Sequence, residues 1–264
     1  GGVLASWGSA GHFTFAEPGA LLGFLGPRVV ELTTGTPILE GVQTGENLAR
    51  HGVIDGVISP SQLRTAVLKI VSVLFPAEKE EQDVDTRVLD TEVSVERSAW
   101  ESITITRNPE RPGLRHLVEA LSPNTVALSG TGDGRTSRAV TVMLARFPTV
   151  MACSVKPTLM LARIGSRPVV LIGQDRHKQP PLGRHPLGPS ALRMARRGIQ
   201  LAHELQLPLI SIIDTPGAEL SQHAEENAMA GSIARTLGEL VDVDVPTVSI
   251  ILGQGCGGGA LAML

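Results

Sequence analysis

Three short and nearly unbroken apolar runs constrain this 264-residue chain most: Val169-Val170-Leu171-Ile172, Leu209-Ile210-Ser211-Ile212-Ile213 and Thr247-Val248-Ser249-Ile250-Ile251-Leu252. A strand with one face in water alternates apolar and polar side chains; strands this uniformly apolar must be covered on both faces. The segments between them have a helical period. Leu192, Ala195, Ile199, Ala202 and Leu205 recur across 191–206, which predicts a helix with Arg193, Arg196, Arg197 and Glu204 outward. Segment 224–240 repeats the spacing with Ala230, Ile233, Leu237 and Leu240. Together these predict an α/β domain built on a parallel sheet. Right-handed crossovers then bring the loops 173–176, 214–218 and 253–259 to one rim, where functional residues are to be sought.

The rest of the chain falls into blocks. Residues 1–75 are apolar and glycine-rich, and residues 100–264 hold the strands just described. Between them, residues 76–99 carry eight acidic against three basic residues and few large hydrophobes. Such a stretch buries too little to offset its ordering entropy and reads as a linker. A net charge of −3 gives no bulk attraction to nucleic acid or an anionic membrane, and 3% aromatics with no Tyr argues against a base-stacking surface. No apolar run reaches the roughly 18 residues that would span a bilayer. Cys153 and Cys256 fit a reducing, cytoplasmic setting and have no metal-like spacing, so no metal site is expected. The chain opens on Gly1-Gly2 and stops at Leu264 without a polar tail, and it reads as an excerpt of a longer protein.

Several motifs compete at the rim. Gly253-Gln254-Gly255-Cys256-Gly257-Gly258 matches a dinucleotide fingerprint, but it follows a late strand of the series instead of the first. Asp214-Thr215-Pro216-Gly217 resembles a GTPase motif, yet none of the four lysines, Lys69, Lys79, Lys156 and Lys178, stands in a phosphate loop. Cys256 could be an activated thiolate at a helix start, although no partner His is identified, and a small residue in a tight glycine loop is the simpler reading. Glycine pairs at helix starts, by contrast, expose backbone N–H groups to close approach and can stabilise an oxyanion. Gly258-Gly259-Ala260-Leu261-Ala262 and Gly1-Gly2-Val3-Leu4-Ala5-Ser6 both have this form. By pattern alone, close helix–sheet packing explains them equally well.

Longer stretches around both pairs resemble carboxyltransferases of biotin-dependent acyl-CoA carboxylases. Gly1 to Ser6, Ala16-Glu17-Pro18-Gly19-Ala20-Leu21-Leu22-Gly23-Phe24-Leu25-Gly26-Pro27-Arg28-Val29 and Gly52-Val53-Ile54-Asp55 resemble the β-type half. Trp100-Glu101-Ser102, Arg107, Arg111-Pro112, Pro168 to Gly173, Asp214 to Ala218, Ala224-Glu225-Glu226, Ile233-Ala234-Arg235 and Gly257 to Ala262 resemble the α-type half, in order. The resemblance is greatest to the fused β–α arrangement of acetyl-CoA or propionyl-CoA carboxylases. It implies two crotonase-like (ClpP/crotonase superfamily) α/β domains of ββα spiral units, both incomplete. Residues 1–75 would close the β-type domain and 100–264 would open the α-type domain, with 76–99 as the linker.

The implied activity is transfer of a carboxyl group from carboxybiotin on a carrier protein to an acyl-CoA such as acetyl-CoA or propionyl-CoA, in fatty acid biosynthesis. The implied partners are the biotin carboxylase and biotin carboxyl carrier subunit and further copies of the chain, in a dimer-based oligomer. By motif match, the backbone amides of Gly1, Gly2, Gly258 and Gly259 would form two oxyanion holes, one for the thioester enolate and one for the biotin ureido oxyanion. Arg176, Lys178 and Arg184 could meet CoA phosphates or the transferred carboxylate, with a solvated loop as the plain alternative; Gly188, Gly217 and Ala218 would line the substrate. Two departures stand out: Glu219 where the family has an aromatic, and Asn227-Ala228 where it has Arg-Gly. They leave room for a crotonase-fold decarboxylase or hydratase, or for a non-catalytic paralogue.

Overall fold

The computed structural model describes residues 4, 10–75, 96–121, 125–129, 134, 136–146 and 168–264. Gly1, Gly2, Cys153, Lys156 and residues 76–95 of the expected linker lie outside the described residues.

The three apolar runs are β5 (Pro168–Gln174), β6 (Leu209–Thr215) and β7 (Thr247–Gly255), and they pair in parallel as expected. Two strands not anticipated, β3 (Thr125–Leu128) and β4 (Val140–Arg146), extend the sheet on the β5 side. Both pairings, β3 with β4 and β4 with β5, are antiparallel, so the sheet is mixed, in the order β3-β4-β5-β6-β7.

Burial on both faces explains the apolar runs. Val142, Leu144, Val170 and Ile172 face α6 (Pro189–Leu205) and bury Ala191, Ala195, Ile199 and Ala202 against them. The alternate residues Met143, Ala145, Val169, Leu171, Ile210 and Ile212 face the other way, onto Leu114 and Leu117 of α5 (Leu114–Leu121). Each fully buried Leu or Ile contributes about 1.5–3 kcal/mol of transfer free energy. Helix α6 starts at Pro189, whose fixed φ and missing N–H suit a first helical position, and stops at Gln206, held left-handed at φ 52° just before Pro208. Gly198 lets α6 lie close, because a Cβ there would overlap Ile172.

Segment 224–240 is not one helix. It divides into α7 (Gln222–Glu226) and α8 (Met229–Asp242), broken at Ala228, whose left-handed φ of 59° ends one helix and opens the next. Helix α8 packs along α6, and α9 (Gly257–Leu261) sits against β6 and β7.

In the N-terminal block β1 (Phe15–Ala16) and β2 (Gly56–Val57) form a two-residue parallel pair, with α1 (Pro27–Thr34) and α2 (Gly45–Arg50) between them and α3 (Pro60–Leu74) after them. Helix α3 begins with a capping box of Ser59 and Gln62 and packs on β3 and β4. Helix α4 (Ala99–Arg107) begins with another, Ser98 and Glu101, and touches β7.

The helical period placed Arg197 outward, but it is only 16% exposed and forms two parallel bonds to Asp55 of the N-terminal block, at 2.7 and 3.0 Å. Asp55 also accepts from Thr14 N–H at 2.9 Å, and Arg197 donates to the His12 carbonyl at 3.0 Å. Arg196 likewise turns to Glu239 on α8, whereas Glu204 remains exposed and meets His12.

Candidate active site

The ends of β5, β6 and β7 converge, as the parallel order requires. Cys256 N–H donates to the Thr215 carbonyl at 3.3 Å, tying the last loop to the middle one. Gly217 takes φ 136° and Gly257 φ 61°, conformations open to glycine and costly for other residues, and they set the two bends. A Cβ on Gly217 would sit 3.9 Å from the Cys256 carbonyl oxygen.

Gly258 and Gly259 occupy the first turn of α9, where N–H groups have no intrahelical acceptor. Gly258 is half-buried under Ile233 of α8, and Gly259 is buried. A Cβ on Gly259 would lie 2.6 Å from Leu187 Cδ2 and 3.0 Å from Ala218 N. The absence of a side chain is therefore what lets the three loops meet. Gly188 closes the same corner, lying beneath the Glu219 carboxylate, which a Cβ there would overlap. Glu219 is half-buried; its N–H bonds to the Leu187 carbonyl at 3.0 Å and its Oε1 accepts from Ser221 Oγ at 2.7 Å. Gly188, Gly217, Ala218 and Gly259 thus share one corner of the rim, with Gly258 beside them.

The cationic candidates divide. Arg176 is 6% exposed and turned inward, donating to Gln254 Oε1 at 3.0 Å and to the carbonyls of Gln179 at 3.2 Å and Pro180 at 2.8 Å. Burial pushes its pKa down, attraction to Asp214 raises it and repulsion from Arg111 lowers it further; a guanidinium stays charged through such shifts. Lys178 is exposed and pairs with Asp175 at 3.3 Å, and Arg184 is exposed on the following turn.

Beneath the rim lies a polar layer whose members the sequence named only as parts of loops or motifs or, for Gln179, did not single out at all. Asp214 is fully buried, and its Oδ1 accepts from Arg111 Nη2 at 2.5 Å and from Gln254 N–H at 3.1 Å. Gly253 is required there, since a Cβ would overlap the Arg111 guanidinium. Gln179 donates to the Asp214 carbonyl at 3.1 Å and accepts from Thr215 Oγ1 at 2.7 Å. Gln174 accepts from Asp214 N–H at 3.0 Å and donates to the Gly259 carbonyl at 2.8 Å. A buried Asp-Arg pair flanked by glutamines signals a fixed scaffold, since most of its polar groups are paired; Asp214 Oδ2 is buried without a hydrogen-bond partner among the described residues. Among the described residues no group of three or more His, Cys, Asp or Glu could hold a metal ion, and no helix is long and apolar enough to cross a membrane.

Comparison with known proteins gives a consistent result. The family model described as acetyl co-enzyme A carboxylase carboxyltransferase-like matches residues 75–264. The chain is 48% identical, over all of its 264 residues and 48% of the relative's length, to a probable biotin-dependent acyl-coenzyme A carboxylase beta3 subunit of Mycobacterium bovis. It is 32% identical over 275 residues, covering all of this chain and 46% of the relative, to the acetyl-coenzyme A carboxylase carboxyl transferase subunits beta/alpha of Salinispora tropica. The chain therefore spans about half the length of the curated relatives it matches. Among solved structures, a single-chain, multi-domain long-chain acyl-CoA carboxylase superposes with a TM-score of 0.65 at 21% identity, over 95% of this chain and 22% of that one. Transcarboxylase 12S superposes with a TM-score of 0.64 at 17% identity, over 96% and 45%. At these identities the superpositions speak to fold, and the fold is the crotonase-like one of carboxyltransferases.

Proposed function

The chain belongs to the acetyl co-enzyme A carboxylase carboxyltransferase-like family, and from that premise we propose that it forms part of a carboxyltransferase moving a carboxyl group from carboxybiotin on a carrier protein to the α-carbon of an acyl-CoA. The observation that carries this is the first turn of α9, where Gly259, next to Gly258, meets Ala218 at a separation that admits no Cβ on Gly259. Carboxyl transfer turns neutral carbonyls into oxyanions at both the thioester and the biotin ureido group. Amides fixed in place beforehand act mainly on that developing charge. Gly258 and Gly259 serve one oxyanion, with Gly217, Ala218 and Gly188 shaping the adjoining wall, and Gly1 and Gly2 serve the other. Lys178 and Arg184, both exposed, are the side chains at this edge that could meet CoA phosphates, Lys178 by exchanging its surface pair with Asp175; the inward bonds of Arg176 favour a supporting role for it.

On this reading residues up to 75 end the β-type domain, 76–99 link, and 100–264 begin the α-type domain; the family match over residues 75–264 supports a boundary near residue 75. The named relatives support a biotin-dependent acyl-CoA carboxylase; on this reading the protein works with a biotin-carrying subunit as an oligomer, and acetyl-CoA or propionyl-CoA in cytoplasmic fatty acid synthesis is the substrate we favour.

The test is the reverse half-reaction of the full-length gene product: malonyl-CoA or methylmalonyl-CoA with a free biotin ester, following loss of the acyl carboxylate. Biotin-dependent turnover supports the reading, and the preferred ester names the substrate. Turnover without biotin would instead indicate a decarboxylase. Binding of the ester without turnover would leave a non-catalytic paralogue, with Glu219 beside Ala218 as the residue to examine.

A further inference from the structure

Gln174 is the last residue of β5 and is fully buried, and it reaches past the neighbouring β6 to α9. Its carboxamide joins three elements. Oε1 accepts from the Asp214 amide at the end of β6, while Nε2 donates to the Gly259 carbonyl in α9 and lies 3.3 Å from Met263 Sδ. Ala262 N–H bonds back to Gly258 and Met263 N–H to Ala260. The Gly259 carbonyl between them takes its hydrogen bond from Gln174. The tail of α9 is fastened to the same sheet face by Ser211 Oγ, which donates to the Met263 carbonyl at 2.5 Å.

A five-residue helix of three glycines, one alanine and one leucine has little intrinsic tendency to keep its place, since glycine is among the poorest helix formers. Its orientation must come from such outside bonds. We propose that Gln174 is a positioning residue for the Gly258–Gly259 amides: by holding the Gly259 carbonyl on the sheet and the Asp214 backbone beside it, it fixes the direction of the α9 first turn relative to Ala218. This rests on the carboxyltransferase reading above.

Two variants of the full-length protein test it in the biotin-dependent reverse reaction. Gln174→Leu removes both polar atoms, and kcat is expected to fall roughly ten- to hundred-fold with KM for the acyl-CoA little changed, as for a misplaced oxyanion donor. Gln174→Glu carries the sharper signature. Ionised glutamate only accepts, so it loses the bond to Gly259; protonated glutamate both donates and accepts and restores it. Burial favours the protonated form. Activity of Gln174→Glu, normalised to the wild type at each pH, is therefore expected to recover as pH falls, while Gln174→Leu does not recover. With the folded fraction of Gln174→Glu matched to the wild type by circular dichroism at each pH, a merely structural role would leave kcat of the folded protein independent of pH. Full kcat in Gln174→Leu, or a pH-independent deficit in a folded Gln174→Glu protein, would overturn the proposal while leaving the carboxyltransferase intact. A wild type without biotin-dependent turnover would fail the underlying reading, and the positioning role with it.

Discussion

The Arg197–Asp55 pair joins residues 142 positions apart and connects α6 to the N-terminal block. The side chains are 16% and 3% exposed, so the charges are largely out of water and each needs the other. Removing one partner of a buried pair costs about 3–5 kcal/mol, mostly because the remaining charge is stranded. Here the Thr14 amide still reaches Asp55 at 2.9 Å and Arg197 retains some solvent, which places the cost at the lower end, about 3 kcal/mol. Arg197→Ala is therefore expected to lower the thermal midpoint by roughly 6–12 °C if the domain behaves as one of 150–250 residues. Asp55→Ala takes the carboxylate from a guanidinium that keeps its bond to the His12 carbonyl, and should likewise cost about 3 kcal/mol. The decisive measurement is the double-mutant cycle by urea unfolding. Because the second substitution removes a charge already stranded, the double variant should be little worse than either single one, giving a coupling of about 2–3 kcal/mol. Additivity within about 0.5 kcal/mol would refute the reasoning, for it would mean that neither charge depends on the other.

Gly259→Ala places a methyl 3.0 Å from Ala218 N, a backbone atom that cannot swing aside, so carboxyl transfer should drop on the order of a hundred-fold; activity within two-fold of wild type would remove the amide pair from the mechanism. Ala228→Gly relieves a left-handed alanine at φ 59° and should stabilise by about 0.5–1 kcal/mol, read as a higher urea midpoint, and a lower midpoint would count against strain at the α7–α8 break. The Ser98 backbone amide, and then its hydroxyl, hold the Glu101 carboxyl below the usual glutamate range. Because the folded value is depressed, its contribution to α4 is present above the unfolded value and lost as pH falls through the folded one. An NMR titration of Glu101 should show that low midpoint, and Ser98→Ala should raise it; a midpoint at or above that of a free glutamate would remove the capping box.

Much of the sheet was legible because its signals are local. Unbroken apolar runs imply strands covered twice, and the spacing of Leu192, Ala195, Ile199 and Ala202 implies a helix lying on them; these became β5, β6, β7 and α6. The shared rim followed from parallel order alone. β3, Thr125–Leu128, is too short to stand out, whereas β4, Val140–Arg146, is a nearly unbroken apolar run that carries the same strand signal as β7. The break at Ala228 was hidden for another reason: an alanine in left-handed backbone leaves no mark in an apolar pattern.

At the site, the sequence determined which residue types are available: glycines where backbone must approach backbone, as at Gly217 and Gly259, and an apolar run leading into Asp214 and Thr215. Only the tertiary structure decided their partners. Arg111 meets Asp214 across 103 residues, Gln174 reaches Gly259 across 85, and Arg176 turns inward although its neighbour Lys178 stays at the surface. Periodicity reports the face on which a residue lies, through the free energy of burying apolar surface. It carries no information on which distant polar group will satisfy a buried one, because that choice is made only when separate strands and loops have already been brought together.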